Sequence, residues 1–340
     1  MTYSLRHIHR GLTLLCLSQM KIALIVFQVC ISSLGFAEVV SVNYHVENDR
    51  GVPIRDAEGM TTTQKDYLVL PCIGSTKHKK YIKNTDRQGN ARCSFRCHHG
   101  DFNVYVEADG HYPFRMLYQR FRTDYDFATK SVKFFEKEKR MNVTLFRKVK
   151  PIPMRSYIGD VSWQAFGTNV WNKCGYDLEL HDWLPPQGRG KVADFYIDHA
   201  ARIDGETLDS VGHMTFDKYC GAYIVYSKLD DKRLLVYSAD TNVNYATSFT
   251  ATRKMRLNKG ILEQRQILDE GQALVMRTRV KVDESGKIIS CRYSKIYGPL
   301  LAAGVFKFRQ SSFNPDDNDS NLEFDILANL SASPVSGFVP

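Results

Sequence analysis

A mainly β chain is predicted, with an N-terminal β-sandwich followed by a C-terminal antiparallel, sandwich-like β-domain. Three observations predict it. Segments such as Val39–Glu47 and Leu274–Val282 alternate apolar and polar residues with a period of two. The 18 Tyr and 19 Phe favour strands, and no run of Ala, Leu, Glu and Lys with a helical period competes with them. Clusters of Asp, Asn, Ser and Gly separate the alternating segments and supply turns. At 340 residues the chain exceeds a typical single domain, and no internal repeat is visible.

Residues 1–37 read as a signal peptide. Met20-Lys21 opens a compact leader, Ile22 to Leu34 is apolar, and Gly35-Phe36-Ala37 places small residues at the cleavage site. Glu38 would then be the first mature residue. Met20 suffices as initiator, with Met1 to Gln19 either an extended n-region or an over-long start. An uncleaved anchor is opposed by Lys21 and by the small residues that end the span. No later run reaches 18 apolar residues, so no membrane span is expected after cleavage, and the location is periplasmic or secreted. The leader carries Arg6, Arg10 and Lys21 and no acid, so cleavage lowers the formal charge of +9 by three. That modest charge suits weak attraction to anionic polymers, and nucleic acid is not an expected partner.

In the N-terminal region, Val40, Val42, Tyr44 and Val46 face one side of a strand, with Ser41, Asn43, His45 and Glu47 on the other. Turns at Asn48 to Gly51 and Thr85 to Ala91 lead on, the second into a strand at Arg92 to Cys97. Phe102, Val104, Val106 and Ala108 alternate with Asn103, Tyr105 and Glu107. The segment Arg115 to Arg140 is an insertion with a short helix or an extra hairpin, and Asn142 to Phe146 is a last strand. The series Asp49, Gly51, Pro53, Ile54, Ala57, then Thr85, Asp86, Gly89, Ala91, then Phe102, Val104, Val106, Ala108, Gly110, Tyr112, Pro113, then Val143-Thr144-Leu145 resembles the carboxypeptidase regulatory-like, transthyretin-like (Ig-like) β-sandwich across about residues 38–147. The resemblance implies an accessory module without catalytic residues. Residues 148–155 are a linker stiffened by Pro151 and Pro153. Basic residues around it, from Lys137 to Arg155, read as a solvated joint or an anion-attracting seam.

The C-terminal domain is placed at 156–330, with a flexible tail at 331–340. Its most individual stretch is Gly175 to Ile197. Trp183 anchors a loop, Pro185-Pro186 forces an extended chain, and Gly188 and Gly190 permit positive φ around Arg189. Strands are expected at Val192 to Ile197, Ala222 to Ser227 and Leu234 to Ser238, and a hairpin joins Leu274–Val282 to Lys287–Tyr297. Gly298-Pro299 is expected to break that strand, Val305 to Phe308 to form another, and Ile261 to Leu268 to form a short helix. The runs Pro151–Met154, Gly175–Phe195, Lys295–Gly298 and Phe313–Asp325 resemble a group of exported bacterial proteins that pair this domain with a sandwich module. No activity follows from that resemblance.

The chain holds no nucleophile elbow, zinc-protease helix, Walker loop or dinucleotide fingerprint. Cys72, Cys93, Cys97, Cys174, Cys220 and Cys291 remain after cleavage, an even count that permits disulfides in an exported protein, with buried free thiols as the alternative. No cofactor or metal is expected. Cys93-x-x-x-Cys97-His98-His99 lacks a second ligand pair, and in the acid- and amide-rich segment Asn314 to Asp325 the run Asp317 to Leu322 lacks the Gly of a calcium loop at its sixth place, with no Glu at the twelfth. The candidate binding residues are Trp183, Asp182, Asp194 and Arg189: an aromatic platform for a ring with polar groups beside it. The expected function is a non-catalytic module of the envelope or extracellular space that binds a glycan or an envelope protein, or is structural. The alternative is a polysaccharide hydrolase using Asp182, Asp194 and Asp198 around Trp183. His213 with Asp217 is a further acid-base candidate pair, whereas Asp198 and His199 point to opposite faces if their strand persists.

Overall fold

The computed structural model describes residues 38–65, 77–97, 101–126, 131–158, 163–164, 171–229, 232–256 and 259–331. The leader, Cys72, His98, His99 and nearly all of the tail lie outside them. Every regular element among the described residues is a strand, and no helix there is long and apolar enough to cross a membrane. The chain divides into two compact units, Met1–Lys148 and Val149–Pro340.

The first unit holds β1 (Glu38–Asn48), β2 (Glu58–Lys65), β3 (Lys77–Asn84), β4 (Asn90–Cys97), β5 (Asp101–Glu107), β6 (Phe114–Arg120), β7 (Thr123–Asp126), β8 (Ser131–Phe134) and β9 (Glu138–Leu145). A three-stranded sheet, β4-β1-β9, packs on a four-stranded sheet, β3-β2-β5-β6. Val40, Val42, Tyr44 and Val46 meet Phe95, Phe102, Val104, Val106 and Val143 between the sheets, as the alternation predicts. The Thr85-Asp86 turn is held by its own side chains. Thr85 Oγ1 donates to Ile54 O at 2.7 Å and accepts from Ala57 N at 2.9 Å, while Asp86 Oδ1 accepts from Gln88 N and Asn90 N, both at 2.9 Å. Gly89 closes the turn at φ +75°, where a Cβ would stand 2.3 Å from Val46 O. Of the two readings of residues 115–140, the hairpin is the one found, as β7 and β8.

The second unit holds β10 (Ile152–Ile158), β11 (Trp163–Gln164), β12 (Trp171–Asp177), β13 (Asp182–Trp183), β14 (Phe195–Asp204), β15 (Thr207–Thr215), β16 (Gly221–Tyr226), β17 (Ser248–Arg256), β18 (Gly260–Arg265), β19 (Gln272–Val282), β20 (Ile288–Leu301), β21 (Val305–Phe313) and β22 (Phe324–Asn329). One sheet runs β16-β19-β20-β21-β10-β22, with β11 paired to β21; the other runs β13-β12-β14-β15-β17-β18. Pairing is antiparallel except between β10 and β22. Ile197, Met214 and Ala251 of the second sheet pack on Leu274, Met276, Ile296, Phe306 and Phe308 of the first. A further core, with Val236, Ala239, Leu322 and Phe324, covers the opposite face of β19 and β20. That second cover explains why Ala273 to Met276 are buried without a break: both faces of the strand are inside.

Five expectations are corrected here. The linker is shorter than residues 148–155, because Ile152 already enters β10. Val192 to Phe195 does not start a strand until Phe195, since the loop before it is held by side chains. Leu234 to Ser238 is not a strand; its apolar residues cover a core, and Ser238 makes one isolated bridge to Asn321. Gly298-Pro299 does not end β20, because the register to β21 shifts between Tyr297 and Leu300, where a proline needs no ladder bond. Ile261 to Leu268 is not a helix: Lys254 pairs with Glu263 and Met255 with Ile261, so cross-strand pairing overrides local preference.

Candidate functional site

The loop around Trp183 is built on two buried carboxylates and one arginine. Asp177 ends β12 and accepts from four loop amides: Glu179 N and Leu180 N at Oδ1, Lys191 N and Val192 N at Oδ2. Asp194 accepts from Leu178 N at 2.7 Å and from Thr278 Oγ1 at 2.8 Å. Arg279, from β19, closes the set. Its Nε and Nη2 each lie 3.0 Å from Asp194, Nη2 lies 2.8 Å from Asp177, and Nη1 lies 2.5 Å from Glu179. The guanidinium carbon also sits 4.5 Å from the Phe313 ring centroid.

Burial works against the Asp177 carboxylate, but the amides of Lys191, Val192 and Leu180 and the Arg279 guanidinium outweigh it and hold it below the ordinary carboxyl range. Burial pushes the Asp194 carboxyl up; Arg279, Leu178 N and Thr278 act the other way. Each of these neighbours donates to Asp194, so a protonated carboxyl would have nothing to donate to, and the group is an anion. Arg279 is thus a single cation shared by Asp194, Asp177 and Glu179.

The four residues singled out in the sequence are engaged in holding the loop. Trp183 is 8% exposed and stands edge-on to Tyr176 and Phe306, with ring centroids 5.0 and 5.2 Å away. It is a core side chain and not a stacking platform. Asp194 is enclosed. Asp182 accepts from Trp183 N at 2.8 Å and Arg189 N at 3.1 Å, and the exposed Arg189 side chain lies 3.7 Å from it. Gly188 and Gly190 serve close approach, not positive φ: an added Cβ would meet Asp182 Oδ1 at 2.3 Å and Asp182 O at 2.8 Å respectively. Asp198 accepts the Lys173 amide, so the three carboxylates of the hydrolase reading are each engaged by the backbone. Asp217 accepts from Tyr196 Oη, and His213 Nδ1 lies against Thr250 Oγ1, which leaves them in separate contacts. Trp183→Phe is expected to cost about 1–2 kcal/mol in urea unfolding, through lost packing, and to leave carbohydrate retention unchanged.

Cys93, Cys97, Cys174, Cys220 and Cys291 are buried free thiols, the alternative to disulfides. Cys93 and Cys97 share β4, as expected, and burial pushes the Cys93, Cys174 and Cys220 thiols up. Among the described residues no three His, Cys, Asp or Glu side chains gather as metal ligands. The Asn314 to Asp325 segment wires its own backbone instead. Asn314 Nδ2 donates to the carbonyls of Asp319 and Asn321, and Glu323 accepts the amides of Val149 and Lys150.

An open hollow of about 200 Å³ lies on the four-stranded sheet of the first unit, lined by Met60, Thr62, Asn103, Val104, Tyr105 and Arg115. Strand register assembles it. Ile82 of β3 stands opposite Met60 of β2, Met60 opposite Tyr105 of β5, and Tyr105 opposite Arg115 of β6. These residues share the outward face, because their neighbours Thr61, Val104 and Val106 point into the core. Ile82 is 54% exposed. Tyr105 Oη donates to Glu107 Oε2 at 2.7 Å, and Asn103 Nδ2 lies 3.4 Å from Thr62 Oγ1. Partial burial, then the Glu107 carboxylate, push the Tyr105 phenol up to about 12, so it stays a neutral donor. The volume falls below the roughly 300–1,000 Å³ of enclosed small-molecule pockets. Sequence reasoning read Asn103, Tyr105 and Glu107 only as the polar half of an alternating strand, gave Met60, Thr62 and Ile82 no strand, and put Arg115 in an insertion. The signal available was an aromatic at an outward position, Tyr105, flanked by Asn103 and Glu107.

Comparison with protein-family models and with curated proteins gave no match. Among solved structures, the full-length major pilin SpaD from Corynebacterium diphtheriae aligns at 10% identity over 85% of each chain, with a TM-score of 0.22. The 3-chlorocatechol 1,2-dioxygenase from Rhodococcus opacus 1CP aligns at 12% identity over 33% of this chain and 62% of that one, also at 0.22. The chain is a mainly β protein by its own strand content.

Proposed function

We propose that the protein is an exported, non-catalytic binding module, periplasmic or secreted, that holds a glycan on the outer face of β3-β2-β5-β6, in a first unit of the carboxypeptidase regulatory-like kind. The row Ile82, Met60, Tyr105, Arg115 carries this reading. An apolar row with one aromatic ring suits a sugar's C–H face, and the amide, hydroxyl, guanidinium and carboxylate groups around it suit sugar hydroxyls. The engagement of Asp182, Asp194 and Asp198 by backbone amides favours binding over hydrolysis.

Co-sedimentation with cell-wall and polysaccharide fractions at low and high salt tests the proposal. Retention at high salt is expected, because the contacts are not mainly ionic. Tyr105→Ala is expected to weaken it about tenfold, the loss of roughly 1.4 kcal/mol for one aromatic contact, whereas Tyr105→Phe keeps the ring and most of the binding. Retention only at low salt, or full retention by Tyr105→Ala, would overturn the assignment.

A further inference from the structure

The six-stranded sheet of the second unit ends on β18, which pairs with β17 on one side only. All six of its residues are exposed. A strand edge offers unpaired N–H and C=O groups, and proteins commonly blunt it with proline, inward charge or a covering loop. The strand carries a bulge at Leu262 and the charges of Glu263 and Arg265 but no proline, and no described element covers its edge. Its apolar Ile261 is 51% exposed, and Leu262 beside it is similarly open.

Two rows of side chains lead across the sheet to this edge. On one face, Arg202, Asp209, Lys254 and Glu263 stand opposite one another in turn, alternating in sign. On the other face, Ile203, Leu208, Met255 and Ile261 do the same. That apolar row continues the core-facing side of the sheet beyond the core. The β20–β21 turn still reaches Gly212, where an added Cβ would meet Ala302 O at 1.7 Å, and it reaches Ser210 and Arg253 at Gly304. The next row out has no opposing layer among the described residues, and Ile203 is 48% exposed.

We propose that a second copy of this chain pairs with β18, strand against strand and antiparallel, about a twofold axis at Gln264. Charge selects this register. With Gln264 opposite its own copy, Glu263 faces the partner's Arg265, and Arg265 faces the partner's Glu263. Both residues lie on the face of the alternating row, because Arg265 pairs with Thr252 two residues from Lys254. An axis at Glu263 would oppose the two glutamates, and an axis at Leu262 would oppose Arg265 to the partner's Lys259. The pairing satisfies the open backbone edge around Glu263 to Arg265, joins the two sheets into one, and brings both apolar rows onto the same side.

Sedimentation equilibrium of the full protein at micromolar concentrations reads the result. A dimer is expected that weakens with salt. Glu263→Arg alone and Arg265→Glu alone should each weaken the dimer tenfold or more, because each variant opposes like charges. An equimolar mixture of the two variants should dimerise again, since each then presents the opposite charge at both positions. Thermal melts confirm that the variants fold; the substituted side chains are exposed. A monomer at every concentration, a dimer indifferent to either reversal, or a mixture that stays monomeric would each overturn the proposal.

Discussion

Arg279→Met is expected to destabilise the second unit by about 3–5 kcal/mol, the cost of leaving buried carboxylates without their cation. Asp177 and Asp194 would keep their amide bonds but lose the cation they share. The loop from Leu178 to Val192 is pinned by those same carboxylates, so its backbone should loosen with them. Urea unfolding measures the loss, and hydrogen exchange at Leu178, Lys191 and Val192 should accelerate beyond the rest of the unit. Arg155→Met is the contrast. Arg155 meets Glu179 at 3.4 Å in a partly exposed pair, and its removal should cost less than about 1 kcal/mol. Equal losses in the two variants would show that Arg279 packs as a side chain and does not act as a charge.

Lys295→Met should stabilise the protein near neutral pH and remove a pH dependence. Lys295 is 0% exposed, with Nζ 3.3 Å from Val236 O and 5.0 Å from the Tyr297 ring centroid. Burial lowers its ammonium from 10.5 to about 7, with Glu323 pulling the other way. Between those two values the unfolded chain holds the proton that the folded chain has released, so stability rises with pH across that window. From pH 7 to 9.5 the native protein should gain about 3 kcal/mol relative to Lys295→Met. Denaturant unfolding of both at the two pH values checks this. Parallel pH profiles would mean that Lys295 stays charged inside, with its cost met by neighbours.

Much of the strand framework was legible because alternation is a local property. A residue and its second neighbour share a face whatever the rest of the chain does, so Val40 to Val46 and Phe102 to Val106 declared a core side without any distant information. The Asp86 turn was legible for the same reason: Asp86 Oδ1 accepts from Gln88 N and Asn90 N, within the turn itself. Trp183 misled because an aromatic in a polar loop looks the same whether it faces solvent or Phe306, a residue more than a hundred positions away. Only the β5 part of the hollow's outward row, Asn103, Tyr105 and Glu107, was visible in the sequence; the strands that carry Met60 and Ile82 were not, and Arg115 fell in the segment read as an insertion. Met60, Tyr105 and Arg115 become neighbours only through pairing register, which long-range packing sets.

Arg279 marks the boundary most clearly. Strict alternation would put Arg279 on one face with Arg277 and Lys281, opposite to Thr278. The ladder between β19 and β20 shifts register between Thr278 and Lys281, and Arg279 takes φ +50° there, so Thr278 and Arg279 both reach Asp194. The sequence by itself determined a mainly β chain and which residues of its regular strands are apolar-facing, because those depend on spacing of two. Only the tertiary structure decided where the spacing breaks. A bulge places its extra residue according to the charge it must reach, and here that charge is Asp194, 85 residues earlier in the chain.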